Sequence, residues 1–306
     1  ELINLRELYL WGNNISDISA VAGLTHLQKF SLFNNYILSD ISALAGLTNL
    51  GSLSLSNNNI SDISPLAGLS NLETLGLSAN NISDISALAE LINLRELYLW
   101  GNNISDISVL AGLNNLKILT LMNNNISDIS ALAGLPNLQK LYLNDNDISD
   151  ISALVDNAGL SDGDTVGLEN NPLSAESIND YIHQLEERGV DVSQSEQTPT
   201  SPPEPVPEPE PPPTDTTPVT FPDAYLEAAI REAINKPEGP IHTADLESIT
   251  ALIAQEVKIS DLTGLEYCVN LQELWLGNNN ISDISALAGL ANLEWLSLTD
   301  NNISDI

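Results

Sequence analysis

Aspartate and serine recur along this sequence at positions that invite acid–base or metal chemistry. The pair Ser-Asp returns at a fixed spacing, with its carboxylates at Asp17, Asp40, Asp62, Asp84, Asp106, Asp128, Asp150, Asp261, Asp283 and Asp305. A column of carboxylates could bind calcium, but calcium takes about six to eight oxygen ligands, and one carboxylate per step is too sparse. We therefore favour the interpretation that each Asp caps free backbone N–H groups at the start of the following segment.

The other residue types that do chemistry are too few or too scattered for a catalytic site. His26, His183 and His242 fall in separate segments, so the many serines have no nearby base to activate a nucleophile. The single cysteine, Cys268, excludes a cysteine metal cluster, and no glycine-rich phosphate loop is present. The sequence predicts no catalytic residues, no cofactor and no metal site.

The spacing of the aspartates reveals a repeat that must position everything else. Successive aspartates within residues 17–150 and within residues 261–305 are 22 residues apart, except for the first step, which has one extra residue within 35–39. From Leu94 the unit reads L-x-x-L-x-L-x-x-N-x-I-x-x-I-x-x-L-x-x-L. The alternation at Leu97 and Leu99 predicts a short strand with one buried face. The apolar spacing of three over residues 104–113 predicts a tight helical return.

One such unit cannot bury its leucines alone, whereas stacked units share a continuous core. The sequence therefore predicts an α/β solenoid, with a parallel β-sheet on the concave face, a 3-10 or irregular convex side, and helical caps. The asparagine at the end of each strand is expected to form a buried ladder that satisfies backbone groups at the turn. Its members are Asn13, Asn35, Asn58, Asn80, Asn102, Asn124, Asn146, Asn171, Asn279 and Asn301.

The unit ending in N-x-I-S-D-I-S-x-L-A-G-L resembles the internalin-type class of bacterial leucine-rich repeats. Residues 221–270 add FPDAYLEAAIREAINKPEG, TADLESI and KISDLTGLEYCVNL, which are similar to the helical amino cap and degenerate first repeat of that family. The resemblance implies a curved, non-catalytic solenoid that acts in protein binding or adhesion and is secreted or displayed on the bacterial cell surface. After the repeats we find no immunoglobulin-like segment, so the resemblance does not imply host-cell invasion.

Three segments are predicted. Residues 1–192 form a leucine-rich-repeat array closed by a helical carboxy cap, and residues 193–219 form a disordered Pro/Glu/Thr-rich linker. Residues 220–306 form a helical amino cap and the start of a second array. Because the outermost leucines, at 2–10 and 293–298, are expected to have no outer neighbour, we interpret both arrays as truncated; a circular permutation is the alternative.

The strong negative charge limits the partners. Nine Lys and Arg residues face 42 Asp and Glu, and the net charge of −33 would repel nucleic acid and anionic membranes. No apolar run approaches the roughly 20 residues of a membrane span, so membrane insertion is not predicted. The acidity is interpreted as a solubilising coat, with attraction of a basic partner as the alternative.

Aromatic residues concentrate at the outward positions of the predicted strands, where something usually covers them. The predicted ligand-binding residues of the concave face are Tyr9, Trp11, Phe33, Tyr98, Trp100, Met122, Tyr142, Trp275 and Trp295. The ligand would be a protein, or alternatively a glycan. A second interpretation remains open: residues 1–19 are identical to residues 90–108, so part of the pattern could be copied without selection, and the array could be a passive stalk.

Overall fold

The computed structural model describes residues 2–192 and 218–306. Most of the predicted linker, residues 193–217, lies outside the described residues. The described residues form two compact units, the first made of residues 2–35 and 218–306 and the second of residues 36–192. The boundary between the units therefore lies inside the first predicted array.

Each repeat contributes one short strand, because the chain turns soon after the two alternating leucines. The strands are β1 Glu7–Tyr9, β2 Lys29–Ser31, β3 Ser52–Ser54, β4 Thr74–Gly76, β5 Glu96–Tyr98, β6 Ile118–Thr120, β7 Lys140–Tyr142, β8 Thr165–Gly167, β9 Pro218–Val219, β10 Ile241–His242, β11 Ala251–Ile253, β12 Glu273–Trp275 and β13 Trp295–Ser297. In β5 the middle residue, Leu97, is fully buried while its neighbours are half-buried. This alternation confirms the predicted strand register.

The returns between strands are mostly single 3-10 turns, as the spacing of three predicts. They are Ser19–Gly23, Ser42–Gly46, Ser64–Leu66, Ser86–Leu88, Ser108–Gly112, Ser130–Gly134, Leu265–Tyr267 and Ser285–Leu287. The helices are α1 Ser152–Asp156, α2 Ile182–Glu187, α3 Ala224–Ala233 and α4 Thr243–Leu246, with a π-helical turn at Ser177–Tyr181 before α2. In a typical return, the Leu110 N–H donates to the Ile107 carbonyl at 2.9 Å.

In the second unit, β3 to β8 pair in sequence order as parallel strands. The buried leucines of successive strands are register partners, for example Leu75 with Leu97. After β8 the chain enters α2, where Leu185 is fully buried. A strand followed by a helix is the carboxy cap that the sequence predicts.

In the first unit, the parallel strands follow the order β11, β12, β13, β1, β2. Strand β13 thus lies beside β1, and the Leu298 N–H donates to the Tyr9 carbonyl at 2.9 Å. Strands β1 and β13 are therefore neighbours of each other. The expectation that the leucines at both ends have no outer neighbour was wrong. Among the affected leucines, Leu8 is 4% exposed and Leu296 is 2% exposed. Truncation of the arrays in a longer chain stays a prediction.

The amino cap of the first unit is fixed by one buried carboxylate. Asp223 caps α3, accepting hydrogen bonds from the Tyr225 and Leu226 N–H groups at 2.9 and 3.1 Å. Its second oxygen accepts from the N–H and hydroxyl of Ser260 at 2.8 and 3.1 Å. These hydrogen bonds hold the pKa of Asp223 below its usual value although burial acts to raise it. Ahead of α3, the last two residues of the predicted linker form β9, which pairs antiparallel with β10.

Candidate binding face

The asparagine at each strand end forms the predicted ladder. The Asn102 side-chain amide donates to the Leu99 carbonyl at 3.1 Å and to the Leu77 carbonyl of the preceding repeat at 3.0 Å. Its carbonyl oxygen accepts from the Ile82 N–H at 3.0 Å. One side chain therefore satisfies backbone groups in two repeats, and a buried amide with all these partners is unavailable to a ligand.

The repeated aspartates cap their own turns. The Asp106 carboxylate accepts from the Ser108 N–H at 2.8 Å, and this hydrogen bond lowers the pKa of Asp106. The same contact recurs at 2.7–2.8 Å in the turns of Asp17, Asp40, Asp62, Asp84, Asp128, Asp150 and Asp283. Among residues 2–192 and 218–306, no group of three or more His, Cys, Asp or Glu side chains could hold a metal ion.

The outward side chains of the strands, with the outward residue just after each strand, form what we call the strand face of each unit. In the first unit it carries the predicted binding residues Tyr9, Trp11, Phe33, Trp275 and Trp295, all half-buried. In the second unit it carries Tyr98, Met122 and Tyr142, also half-buried, and Trp100, which is 40% exposed. The structure thus distributes the nine residues over two separate units.

In the second unit, the Tyr98 hydroxyl has a hydrogen-bond partner, and the Trp100 side chain is exposed. The Tyr98 hydroxyl donates to the Glu96 carboxylate at 2.9 Å. Burial, and to a smaller extent this hydrogen bond, raises the pKa of Tyr98 to about 12. The strand neighbours of Tyr98, Gly76 and Thr120, are small. Within the described residues, the buried hydroxyls of Ser78 and Thr120 have no hydrogen-bond partner.

In the first unit, three aromatic rings pack on one another. Trp295 lies between Trp275, with ring centroids 4.8 Å apart and planes at 28°, and Tyr9, with centroids 5.2 Å apart and planes at 36°. The cluster spans β12, β13 and β1, and Ser297 stands between Trp275 and Tyr9 in strand register. Trp295 therefore meets each of the other two rings diagonally rather than from the directly opposite strand position. Aromatic contacts of this kind contribute about 0.5–1.5 kcal/mol per pair beyond burial.

Sequence reasoning placed these three aromatic residues on one face but missed the stack. The missing information was the pairing of β13 with β1, which brings Tyr9 next to Trp295 across most of the sequence. No local pattern around either residue signals that pairing. A second missed contact, the tyrosine-to-glutamate hydrogen bond, does have a local signal, because Glu-Leu-Tyr places both side chains on the same side of a strand.

The histidines lie apart from the strand faces. His26 bonds the Ile3 carbonyl at 2.8 Å, while His183 and His242 approach Glu186 and Asp245 at 3.3 and 3.5 Å. None of the helices within the described ranges has the length and apolar character needed to cross a membrane.

Comparison with known proteins agrees with the repeat architecture. Models of the leucine-rich repeat match residues 92–148 and 262–303, and models of paired leucine-rich repeats match residues 3–46 and 48–90, together more than half of the chain. A comparison with curated proteins gave no match.

Solved structures extend the likeness. The internalin inlF of Listeria monocytogenes is 27% identical with a TM-score of 0.52, covering 100% of this chain and 70% of that one. A leucine-rich-repeat protein of Leptospira interrogans is 22% identical with a TM-score of 0.54, covering 99% and 80%. The internalin inlC2 of Listeria monocytogenes is 26% identical with a TM-score of 0.46, covering 92% and 84%. The chain belongs to the leucine-rich-repeat family, and its repeats are of the bacterial internalin type.

Proposed function

We propose that this chain is a non-catalytic recognition module of a secreted or surface-displayed bacterial protein, and that it binds a protein ligand on its strand face. Leucine-rich-repeat proteins generally bind other proteins, and the internalin-type repeats favour an extracellular setting. The likeness to internalins also supports a role in adhesion.

One observation carries the proposal: Trp100 is 40% exposed at an outward strand-face position that the fold does not need for its core. The corresponding residues one repeat before and after are Ser78 and Met122, so the repeat itself does not require an aromatic residue there. Exposed indoles surrounded by small or flexible side chains are typical anchors of protein interfaces.

The surroundings of Trp100 favour a protein over a passive role. Met122 and Tyr142 extend the apolar surface along the same face, and methionine and tyrosine are both enriched at protein interfaces. An oligosaccharide would also stack on Trp100, and the experiment below separates the two ligand classes.

The test compares capture of extracellular proteins and of an oligosaccharide array by three versions of the chain. Wild type should retain a protein, and Trp100→Ala should weaken that complex by about 30-fold or more, since aromatic anchors contribute about 2 kcal/mol or more. The matched control is Ile92→Ala, which removes a 54% exposed apolar side chain before β5, away from the strand face.

Retention of the protein by Ile92→Ala together with its loss by Trp100→Ala supports the proposal. Equal binding by wild type and Trp100→Ala contradicts it, and so does selective retention of oligosaccharides. If wild type retains nothing, the array acts as a stalk.

A further inference from the structure

A single carboxylate on the strand face of the first unit stands without a partner. Glu273 begins β12, with Ala251 and Trp295 as its register neighbours on either side. Its side chain is exposed. Within the described part of the chain, no hydrogen bond or ion pair reaches this carboxylate, whereas the other glutamates at the same repeat position are engaged.

The contrast arises from the residue two places further on. Glu7 and Glu96 are each followed by tyrosine, whose hydroxyl donates to the carboxylate at 2.7 and 2.9 Å. Glu7 also pairs with Lys29 at 3.2 Å. Glu273 is followed instead by Trp275, whose indole nitrogen is buried and has no acceptor among the described residues. The substitution of tryptophan for tyrosine therefore leaves an acceptor free beside an aromatic ring.

An exposed aliphatic side chain completes the arrangement. Ile253 is the register neighbour of Trp275 in β11 and is 65% exposed. The Trp295 ring packs against the Trp275 ring and orients it. The Trp275 side chain nevertheless stays half-buried. An isoleucine, an indole and an unpaired carboxylate thus lie side by side on two strands.

We infer that Ile253, Trp275 and Glu273 form a site for an arginine side chain of the protein ligand. The aliphatic stem of the arginine packs on Ile253, its guanidinium stacks on the exposed part of Trp275, and its N–H groups donate to the Glu273 carboxylate. Tryptophan is the best aromatic partner for a cation, and the planar guanidinium can stack and form hydrogen bonds at the same time. The inference rests on the proposed function, since it names the chemistry of the ligand.

Charge supports the same ligand chemistry. The chain carries a net charge of −33, so it attracts a basic protein surface that comes within the Debye screening length. Two cations of the first unit already have partners, because Lys29 pairs with Glu7 at 3.2 Å and Arg6 with Glu294 at 3.5 Å. Within the described residues no ion pair includes Glu273, so its carboxylate is open to a cation of the ligand.

The experiment follows the indole N–H signals of the four tryptophans by NMR while the intact chain is titrated with N-acetyl-arginine amide. N-acetyl-citrulline amide, which has nearly the same shape but no charge, is the ligand control. The signals of Trp275 and Trp295, assigned with Trp275→Phe, should shift with arginine while that of Trp100 stays in place. Raising the ionic strength should weaken the effect.

Glu273→Gln should weaken the arginine titration by about fivefold or more, because a charge-assisted hydrogen bond is lost. The matched control is Glu232→Gln, which removes the same charge from an exposed position of α3 in the same unit. Equal shifts with citrulline, or equal titrations of Glu273→Gln and Glu232→Gln, would overturn the inference. If the strand face retains a protein through Trp100 while arginine gives no shift, this inference fails and the proposed function stands.

Discussion

Residues 2–19 and 91–108 have the same sequence, yet the two copies have different surroundings. In the second unit, the strand neighbours of Tyr98 are Gly76 and Thr120, and Trp100 is 40% exposed. In the first unit, Tyr9 has the same hydrogen bond to glutamate, but its ring also packs on Trp295, and Trp11 is half-buried. The repeat decides where a side chain points, and the adjacent repeats decide whether it packs or remains exposed.

The glycines that follow Trp11 and Trp100 show the same dependence on neighbours. Gly12 and Gly101 both have a positive φ, 71° and 67°. A Cβ atom at Gly12 would collide with the Asp300 carboxylate, whereas at Gly101 it would meet Ala79 at 3.6 Å, an ordinary contact. One copy therefore needs glycine for space as well as for conformation.

The largest expected effect tests whether the two copies share an equally packed core. Leu10→Ala and Leu99→Ala should each lower the free energy of unfolding by about 2–5 kcal/mol, because both leucines are essentially buried, at 1% and 0% exposure. Denaturant unfolding of the intact chain measures both. A much smaller loss for Leu10→Ala would mean that β1 is not packed against β13.

The next effect should separate the surroundings of the two copies. Trp295→Ala removes the central ring of the stack and should cost about 2 kcal/mol of stability, from two ring contacts and buried area. Trp100→Ala should leave thermal stability almost unchanged, since this side chain is 40% exposed. Similar melting shifts for both variants would remove the distinction between a packed and an exposed aromatic residue.

A smaller difference is expected at the two glycines. Gly101→Ala should cost about 1 kcal/mol, because alanine is strained at positive φ. Gly12→Ala should cost more, since the Asp300 side chain must also move. Urea midpoints of the two variants give the comparison. Equal losses would show that Asp300 moves aside freely.

The smallest effect concerns ionisation of Tyr98. Burial and the Glu96 hydrogen bond favour its neutral form and raise its pKa to about 12. The contribution of this hydroxyl to stability is therefore complete below the ordinary tyrosine pKa of about 10 and is lost as the pH rises through 12. The difference in ultraviolet absorbance between wild type and Tyr98→Phe should show this late titration. Ionisation of Tyr98 near the ordinary pKa would contradict the burial of its hydroxyl.

Much of the fold was predictable because each repeat contains the residues that determine its own strand, turn and buried polar contacts. Alternating leucines predict the strand, apolar spacing of three predicts the 3-10 turn, and the asparagine predicts the ladder. Each prediction is confirmed, as at Leu97, Leu110 and Asn102. These signals are local, so they act within one repeat or between adjacent ones. The assignment of the nine strand-face residues as ligand-binding stays a prediction.

What the sequence determined by itself was therefore the direction of each side chain, since the period of a strand places residues such as Tyr9 and Trp275 outward. Only the tertiary structure decided that β13 lies beside β1, because nearly identical repeats offer nearly identical edges and no local signal selects between them. That choice brings Tyr9 against Trp295, which also packs on Trp275, and buries leucines expected to lack neighbours. Trp100, with the same local sequence as Trp11, remains 40% exposed between Ser78 and Met122 of the adjacent repeats.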